Sequence, residues 1–510
     1  MRTAQLLLAT LVVAAASTSR AGEIPFDTLK SRWAHAVRDF GVPGMSVAVV
    51  TSDSILFEHS FGSRNLERTR SANTDTRYYI ASSTKSFTAL AILQLVDQGV
   101  LSLDDPLITH LPSFALAEPI ESSPVRIRDL LTHASGLTNE IPVSLHESYT
   151  GHTISDEFFY STVATYVGQS GSFKYGNLHY SLLGRVIESV TSQPWQEYVI
   201  KNILVPAKMT RTTPYASVAQ ADDNHAEMIY RQGPGHWRRP DITKVDSSMS
   251  PAGGIYASVH DLARWIQLQL NDGTLETTRF LSRDLVQASR SPQVQVDTSF
   301  SGFTREHYGY GWYVGSYLDE TLVHCFGSFA SGARAHLSYM PNHDIGVAVV
   351  TNVAHGPGMQ MTDAIAKDIY DSLLDHIPDG DHIEALRHRL DEAHPSELSG
   401  LPLPNMSNNP VTSENSITLD PVAYTGTFHS DVYGTITVFL EDGLLVIGYG
   451  GIHHARLTSF RNPDTFIVFL EPRSIASVGQ FLVEDNAVRR VALDLPGTPD
   501  GVAIFTRIAE

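Results

Sequence analysis

The chain has 510 residues, 42% of them hydrophobic and 18% charged, with a formal net charge of -19 and one cysteine. That length predicts at least two domains, and the acidic balance argues against a nucleic-acid partner because it repels phosphate backbones. A lone Cys325 permits no intrachain disulfide and no multi-cysteine zinc site.

The N-terminus reads as a secretory signal peptide over residues 1–21. Arg2 gives the positive end and Leu6 to Ala16 the apolar run. Ser19-Arg20-Ala21 offers small residues for cleavage before Gly22, with Ala14-Ala15-Ala16 as a second option. The expected location is secreted, periplasmic or extracellular, and no later stretch is apolar enough to span a membrane. Leu29, Trp33 and Val37, spaced by four, predict a helix over 26–40, which Gly41-Val42-Pro43-Gly44 stops. "MSVAVV" and "ILFEHS", joined by Ser52-Asp53, read as a hairpin, and a long helix follows from about Ser82 to Gln98. The middle third mixes short helices with Gly, Pro, Ser and Asn turns. Strands return near residue 307 with "YGYGWYV", "TLVHCF", "ARAHLSYM" and "IGVAVVTN", and a helix over 361–374 closes a unit spanning 22–378.

Strands at both ends with helices between predict an α+β fold: an antiparallel sheet flanked by helices, with a helical subdomain inserted. Residues 379–415, rich in Pro, Ser and Asn, read as a linker, with a short helix in "HIEALRHRLDEA" and a glycosylation sequon at Asn405. From 416 to 510 the text is short strands and tight turns. Glu441-Asp442-Gly443 between "GTITVFL" and "LLVIGYG" marks a hairpin, and the whole predicts a small all-β barrel.

One short stretch carries chemistry. "IASSTKSF" places Ser82 three residues before Lys85 at the start of the long helix. Free backbone N–H groups at a helix N-terminus can hold an oxyanion, and Lys85 falls one turn later on the same face. The helix beyond is apolar, so a buried lysine there has reason to lose its proton and to accept that of Ser82 Oγ. Taken alone, the pair also fits an N-capping serine and a solvated lysine. A second stretch, "FKYGNLHYSLLGRVIE", sets Tyr175-Gly176-Asn177 in a turn before another apolar helix.

S-x-x-K followed roughly ninety residues later by Y-x-N resembles the serine β-lactamase and penicillin-binding-protein superfamily. The tyrosine in the middle motif resembles the class C β-lactamases, the DD-carboxypeptidases and the esterases like them. "VPGMSVAVV", "VRIRDLLTHASGL" and "SPAGGIYASVHDLARW" agree, and the resemblance covers about Phe26 to Leu374. It implies that Ser82 is the nucleophile, Lys85 its base or proton partner, and Tyr175 a second general base. Asn177 would orient substrate or Lys85. The third motif departs from the family's K-T-G or H-x-G triplet. His324 and Gly327 have two residues between them, so either Cys325-Phe326-Gly327 fills the triplet or His324 reaches in through an irregular strand. With Gly327 as the triplet glycine, Ser328 N–H would join Ser82 N–H in the oxyanion hole. A Cys-Phe pair at that place suggests a less anionic or more apolar acyl group.

The implied reaction is acyl transfer to water through acyl-Ser82, on an ester, a D-amino-acid peptide or a β-lactam, with esterase or peptidase ranked first. Transfer to a small-molecule alcohol or amine, and a non-catalytic binder, are the alternatives. No metal or organic cofactor is implied. The C-terminal barrel resembles lipocalin-like domains. Of the other candidates, His133 is expected to brace a loop and His453-His454 to sit on a surface turn. Cys325 is expected to be buried on a strand, and Tyr308, Tyr310, Trp312 and Tyr313 to pack the sheet.

Overall fold

In the run Gly44–Val50 (β1), Met45, Val47 and Val49 join one apolar cluster while Ala48 and Val50 join another. A strand with two buried faces needs that alternation, and β1 lies inside an eight-stranded antiparallel sheet. Its partners are β2 (Ile55–Gly62), β3 (Val294–Phe300), β4 (Phe303–Tyr308), β5 (Tyr313–Tyr317), β6 (Glu320–Phe329), β7 (Ala333–Met340) and β8 (Ile345–Thr351). The order across the sheet is β3-β4-β5-β6-β7-β8-β1-β2. Strand β1 pairs with β8, so the two ends of the unit meet inside the sheet, one strand in from its β2 edge, the α+β arrangement expected from the strand–helix–strand order.

The structure is a computed structural model that describes residues 24–114, 125–137, 170–233, 236–240, 244–247, 250–329, 332–353, 357–377, 381–392, 417–431, 433–449, 453–459, 462–471, 475–494 and 502–508. The expected leader, most of the expected linker and Asn405 lie outside the described residues.

Helices cover both faces. On one side lie α1 (Phe26–Asp39), α5 (Pro357–Leu373) and α6 (His382–Glu392), which pack Trp33, Ile365, Ile369 and Leu386 against Met45, Val47 and Val349. Beneath them Asp363 accepts from His336 of β7 at 2.9 Å, and Tyr370 and His336 meet Ser338 at 2.7 Å each. Asp368 accepts from Trp33 Nε1 at 2.8 Å and pairs with Arg32 at 2.6 Å, yet burial outweighs both and pushes its carboxyl up to about 6. Helix α6 occupies the start of the expected linker, held to the first unit by buried Ile383 and Leu386.

On the other face lie α2 (Thr84–Asp97), α3 (Asn177–Thr191) and α4 (Val259–Leu270). Residues Thr84 to Leu95 of α2 are all buried. This helix has no solvated side and runs through the middle of the core, where Phe87 stacks on Trp265 of α4 with ring centres 3.8 Å apart. Where sequence predicts one strand at 308–314, the chain breaks between β4 and β5. Gly311, at φ +85°, turns there against α2, and a Cβ on it would lie 2.8 Å from that of Ala89.

The C-terminal residues form a nine-stranded antiparallel sheet: β9 (Gly426–Ser430), β10 (Gly434–Glu441), β11 (Leu444–Tyr449), β12 (His453–Arg456), β13 (Thr458–Ser459), β14 (Thr465–Glu471), β15 (Ile475–Glu484), β16 (Ala487–Leu493) and β17 (Ala503–Arg507). The order is β12-β11-β10-β9-β17-β16-β15-β14-β13, and β12 comes back against β14, so the sheet is a nearly closed barrel. His453 and His454 are not on a turn. They open β12, paired with Tyr449 and Gly448. The barrel's core, including Phe428, Ile447 and Phe505, belongs to one apolar cluster with Tyr79, Ala81 and Phe329 of the first unit. None of the described helices is long and apolar enough to cross a membrane.

Candidate active site

Ser82 is presented by a tight turn. The short strand Tyr78–Tyr79 pairs with Tyr256–Ala257, and Ile80 N–H donates to Ile255 O at 3.0 Å. Ala81 then takes φ +45°, a left-handed conformation that costs a non-glycine residue about 1–2 kcal/mol. A single 3₁₀ turn, Ala81–Ser83, leads into α2 and leaves Ser82 half-buried at the helix N-terminus.

Lys85 follows one turn later and is 1% exposed. Its Nζ lies 2.6 Å from Asn177 Oδ1, 2.9 Å from Ala252 O and 3.3 Å from Ser82 Oγ. An amine that donates to Asn177 and Ala252 can turn its lone pair to Ser82 Oγ, whereas an ammonium turns a third hydrogen there. Asn177 begins α3. Ala252 comes from the short helix Ser250–Gly253, which Thr88 Oγ1 ties to α2 through Pro251 O at 2.6 Å. Sequence reasoning placed "SPAGG" within the resemblance but gave Ala252 no part; a backbone carbonyl leaves no residue-type signal.

Tyr175 is 37% exposed, and its ring centre lies 4.8 Å from Lys85 Nζ. Behind it sits a buried histidine pair. His133 carries φ +58°, and its ring centre is 4.5 Å from that of Tyr175. Its Nδ1 accepts from Gly176 N–H at 3.3 Å and faces His179 Nδ1 at 2.8 Å. An accepting Nδ1 fixes the proton of neutral His133 on Nε2. Burial drives His133 well below its ordinary pKa and His179 down to about 3, and each is lowered further by the Lys85 charge. The histidines next to Lys85 and Tyr175 are therefore neutral, and His133 braces the Tyr175 turn.

On the far side of Ser82 runs β6. A Cβ on Gly327 would lie 1.7 Å from Ile80 O and 3.2 Å from Ser83 N, so only glycine lets the strand lie this close to the nucleophile turn. β5 pairs with β6 only over 320–324. Among the described residues, 325–329 have no strand partner on that edge, which borders Ser82. Ser82, Lys85, Tyr175, Asn177 and Gly327 thus converge from three separated stretches of chain, with the Ala252 carbonyl from a fourth.

Residues 29–371 match the β-lactamase family. The chain belongs to the β-lactamase family. Protein flp of Staphylococcus aureus (strain NCTC 8325) is 26% identical over 326 residues, covering 62% of this chain and 61% of that protein's length. The octameric penicillin-binding protein homologue from Pyrococcus abyssi superposes with a TM-score of 0.61 at 22% identity, over 94% of this chain and 100% of that one. SurE does so with a TM-score of 0.55 at 21% identity, over 96% and 100%. At those identities the two structures show a shared fold, and they share it through the C-terminal barrel.

The strand register decides between the two readings of the 324–327 stretch. The register of β6 with β7 runs unbroken from Val323↔Tyr339 to Phe329↔Ala333. There is no irregularity to turn His324 toward Ser82. Cys325 and Gly327 share the α2 face, while His324 packs against Phe303, Tyr313 and Phe326 on the other. Phe326 is half-buried and Ser328 exposed. Cys325 is buried as expected, and burial pushes its thiol up to about 12, so it is no thiolate nucleophile. Tyr308 and Tyr313 stand edge to face 4.8 Å apart, with Tyr308 5.0 Å from His133. They pack the sheet and also wall the site. Among the described residues no group of three His, Cys, Asp or Glu is placed to hold a metal.

Proposed function

We propose that the chain is an exported serine acyl-hydrolase that works through a covalent acyl-Ser82. The observation that carries this reading is the placement of Lys85 Nζ, buried and within 3.3 Å of Ser82 Oγ while anchored on Asn177 and Ala252. Ser82 Oγ attacks the acyl carbonyl and its proton passes to Lys85, with Tyr175 as the second base. The oxyanion is held by the N–H groups of Ser82 and Ser328. The proton returns to the leaving alcohol or amine, and water then releases the acid from Ser82. Lys85 Nζ lies 4.8 Å from the Tyr175 ring centre, which sets the two proton carriers side by side.

Esters and D-amino-acid peptides are favoured over β-lactams as substrates. Cys325 stands where the family's triplet has a basic or polar residue, and its thiol is neutral. The reading divides the chain into a leader over 1–21, a catalytic domain over 22–378, a linker over 379–415 and a lipocalin-like domain over 416–510. It places the mature protein outside the cytoplasm. The test is intact-protein mass spectrometry with a fluorophosphonate and with a penicillin, on wild type and Ser82→Ala. An adduct in wild type that disappears in the variant supports the reading; an adduct that persists in the variant sinks it. Reaction with the fluorophosphonate and not the penicillin supports the substrate ranking.

A further inference from the structure

His133 grips the chain on both sides of Tyr175. Its carbonyl accepts from Lys174 N–H at 2.8 Å and its ring Nδ1 from Gly176 N–H at 3.3 Å. Next to it, Ala134 O accepts from Gly171 N–H at 2.8 Å. His133 sits at φ +58°, a conformation that persists at a non-glycine residue only where the surroundings hold it. Its ring lies among those of Tyr175, Tyr308, Tyr180 and Phe173, with centres 4.5, 5.0, 5.2 and 5.9 Å away.

The geometry also fixes where the proton of the histidine pair resides. The two Nδ1 atoms of His133 and His179 are 2.8 Å apart, so one proton lies between them. Gly176 N–H points at His133 Nδ1, which excludes a hydrogen on that atom. The proton therefore belongs to His179 Nδ1, and His179 donates to His133. The Nε2 atoms of both rings are buried with no hydrogen-bond partner among the described residues. Leaving two polar ring atoms unsatisfied costs stability, so holding the core together does not account for the pair. Its connections are local to the site. His179 stands in the first turn of α3, two residues after Asn177, whose Oδ1 lies 2.6 Å from Lys85 Nζ. The pair thus ties the Tyr175 turn to the helix end that anchors Lys85.

We propose that His133 and His179 act as one positioning unit for Tyr175, in which the proton on His179 Nδ1 keeps His133 Nδ1 an acceptor for Gly176 N–H and so holds the Tyr175 phenol beside Lys85. Both rings are buried, and they act through Tyr175 rather than on the substrate. This rests on the reading of Tyr175 as the second base.

The test uses variants of the full chain, assayed by hydrolysis of p-nitrophenyl acetate and by the rate at which a fluorophosphonate labels Ser82. His133→Phe keeps a ring under Tyr175 and removes the acceptor. His179→Leu removes the donor without touching the left-handed residue, and carries the same test if His133→Phe does not fold. Each should lower kcat by about tenfold to a hundredfold, the cost of misplacing a reacting group by ~1 Å, with KM held within about twofold. His133→Asn and His179→Asn return an amide oxygen or N–H near the place of Nδ1 and should stay within about fivefold of wild type. The double-mutant cycle with Tyr175→Phe separates positioning from a general loss of structure. In that background His133→Phe and His179→Leu should cost less than about threefold more, because the group they position is gone. Equal losses in both backgrounds, or losses confined to KM, overturn the proposal. If Ser82 takes no fluorophosphonate, or Tyr175→Phe turns over as wild type does, the earlier reading fails instead. Crystal structures of His133→Phe and His179→Leu then decide: a Tyr175 hydroxyl displaced by about 1 Å or more supports the positioning unit, and an unmoved one overturns it.

Discussion

Replacing Gly327 by alanine tests how far the site depends on the approach of β6 to the nucleophile turn. The new Cβ would sit 1.7 Å from Ile80 O, 2.7 Å from Ile80 C and 3.2 Å from Ser83 N. All three are backbone atoms, so no side chain can swing aside. Opening the shortest contact to 3.0 Å requires the strand and the turn to separate by about 1.3 Å, and misplacement of a reacting group by ~1 Å can cost about a hundredfold in rate. Overpacking of this kind costs about 1–3 kcal/mol in stability. The expected outcome is therefore a folded protein, with a modestly lowered melting temperature, whose Ser82 reacts with a fluorophosphonate about a hundredfold more slowly or worse. Gly99→Ala is the control. Gly99 has φ +70° but nothing within 4 Å, so it costs about 1 kcal/mol of backbone strain and should leave labelling unchanged. Labelling of Gly327→Ala at the wild-type rate would refute the claim that this contact positions Ser82.

Three further outcomes follow from the site and its surroundings. Tyr175→Phe should lower kcat by about a hundredfold with little change in KM, because a base acts in the transition state; an effect confined to KM would remove the base role. Cys325, with its thiol pushed up to about 12, should resist iodoacetamide in the native protein at pH 8 and react once the chain is unfolded in guanidinium; stoichiometric native labelling would contradict its burial. Acid should destabilise the fold. His179 titrates at about 3 when folded and near 6.5 when unfolded, so between those values the unfolded chain binds more protons and stability falls as the pH drops. His179 alone accounts for about 2 kcal/mol of that loss at pH 5, and His133, His324 and His336 act in the same direction. Asp368 opposes them, its contribution being full below 3.8 and lost as the pH rises through about 6. The urea midpoint should fall between pH 7.5 and pH 5; a midpoint that holds or rises would mean that these histidines are not neutral in the fold.

Much of this was legible before any coordinates, for reasons that differ between elements. The central strands could be read because alternation and β-branching are local: β1, β7 and β8 fall where "MSVAVV", "ARAHLSYM" and "IGVAVVTN" place them. Ser82, Lys85, Tyr175 and Asn177 could be read because they form two short spacings whose chemistry needs those side chains. What could not be read is carried by groups with no side-chain signature or by distant contacts. Ala252 acts through its carbonyl, Ala81 through a left-handed φ, and Gly327 by lacking a Cβ. His324 misled because H-x-x-G looks like a stretched H-x-G, and only the unbroken register with β7 shows which face it takes. The apolar text beyond Lys85 said that α2 meets a core, but not that the core closes around the helix on all sides.

That enclosure links fold to chemistry. A lysine on an amphipathic surface helix would keep water at its ammonium and hold its proton near ~10. Lys85 instead belongs to a helix with no surface, whose neighbours approach at glycines far apart in sequence. Gly311 lies against Ser86 and Ala89, Gly184 against Pro251 beside Ala252, and Gly327 against Ile80. Each close approach removes room for solvent around the first turn of α2 while leaving Ser82 half open at its tip. The nearest histidines are neutral, which leaves Lys85 as the group placed to take the Ser82 proton. A substitution at any of the three glycines should therefore impair acylation of Ser82 before it impairs folding, because the contact it breaks sets the distance between reacting groups rather than the size of the core.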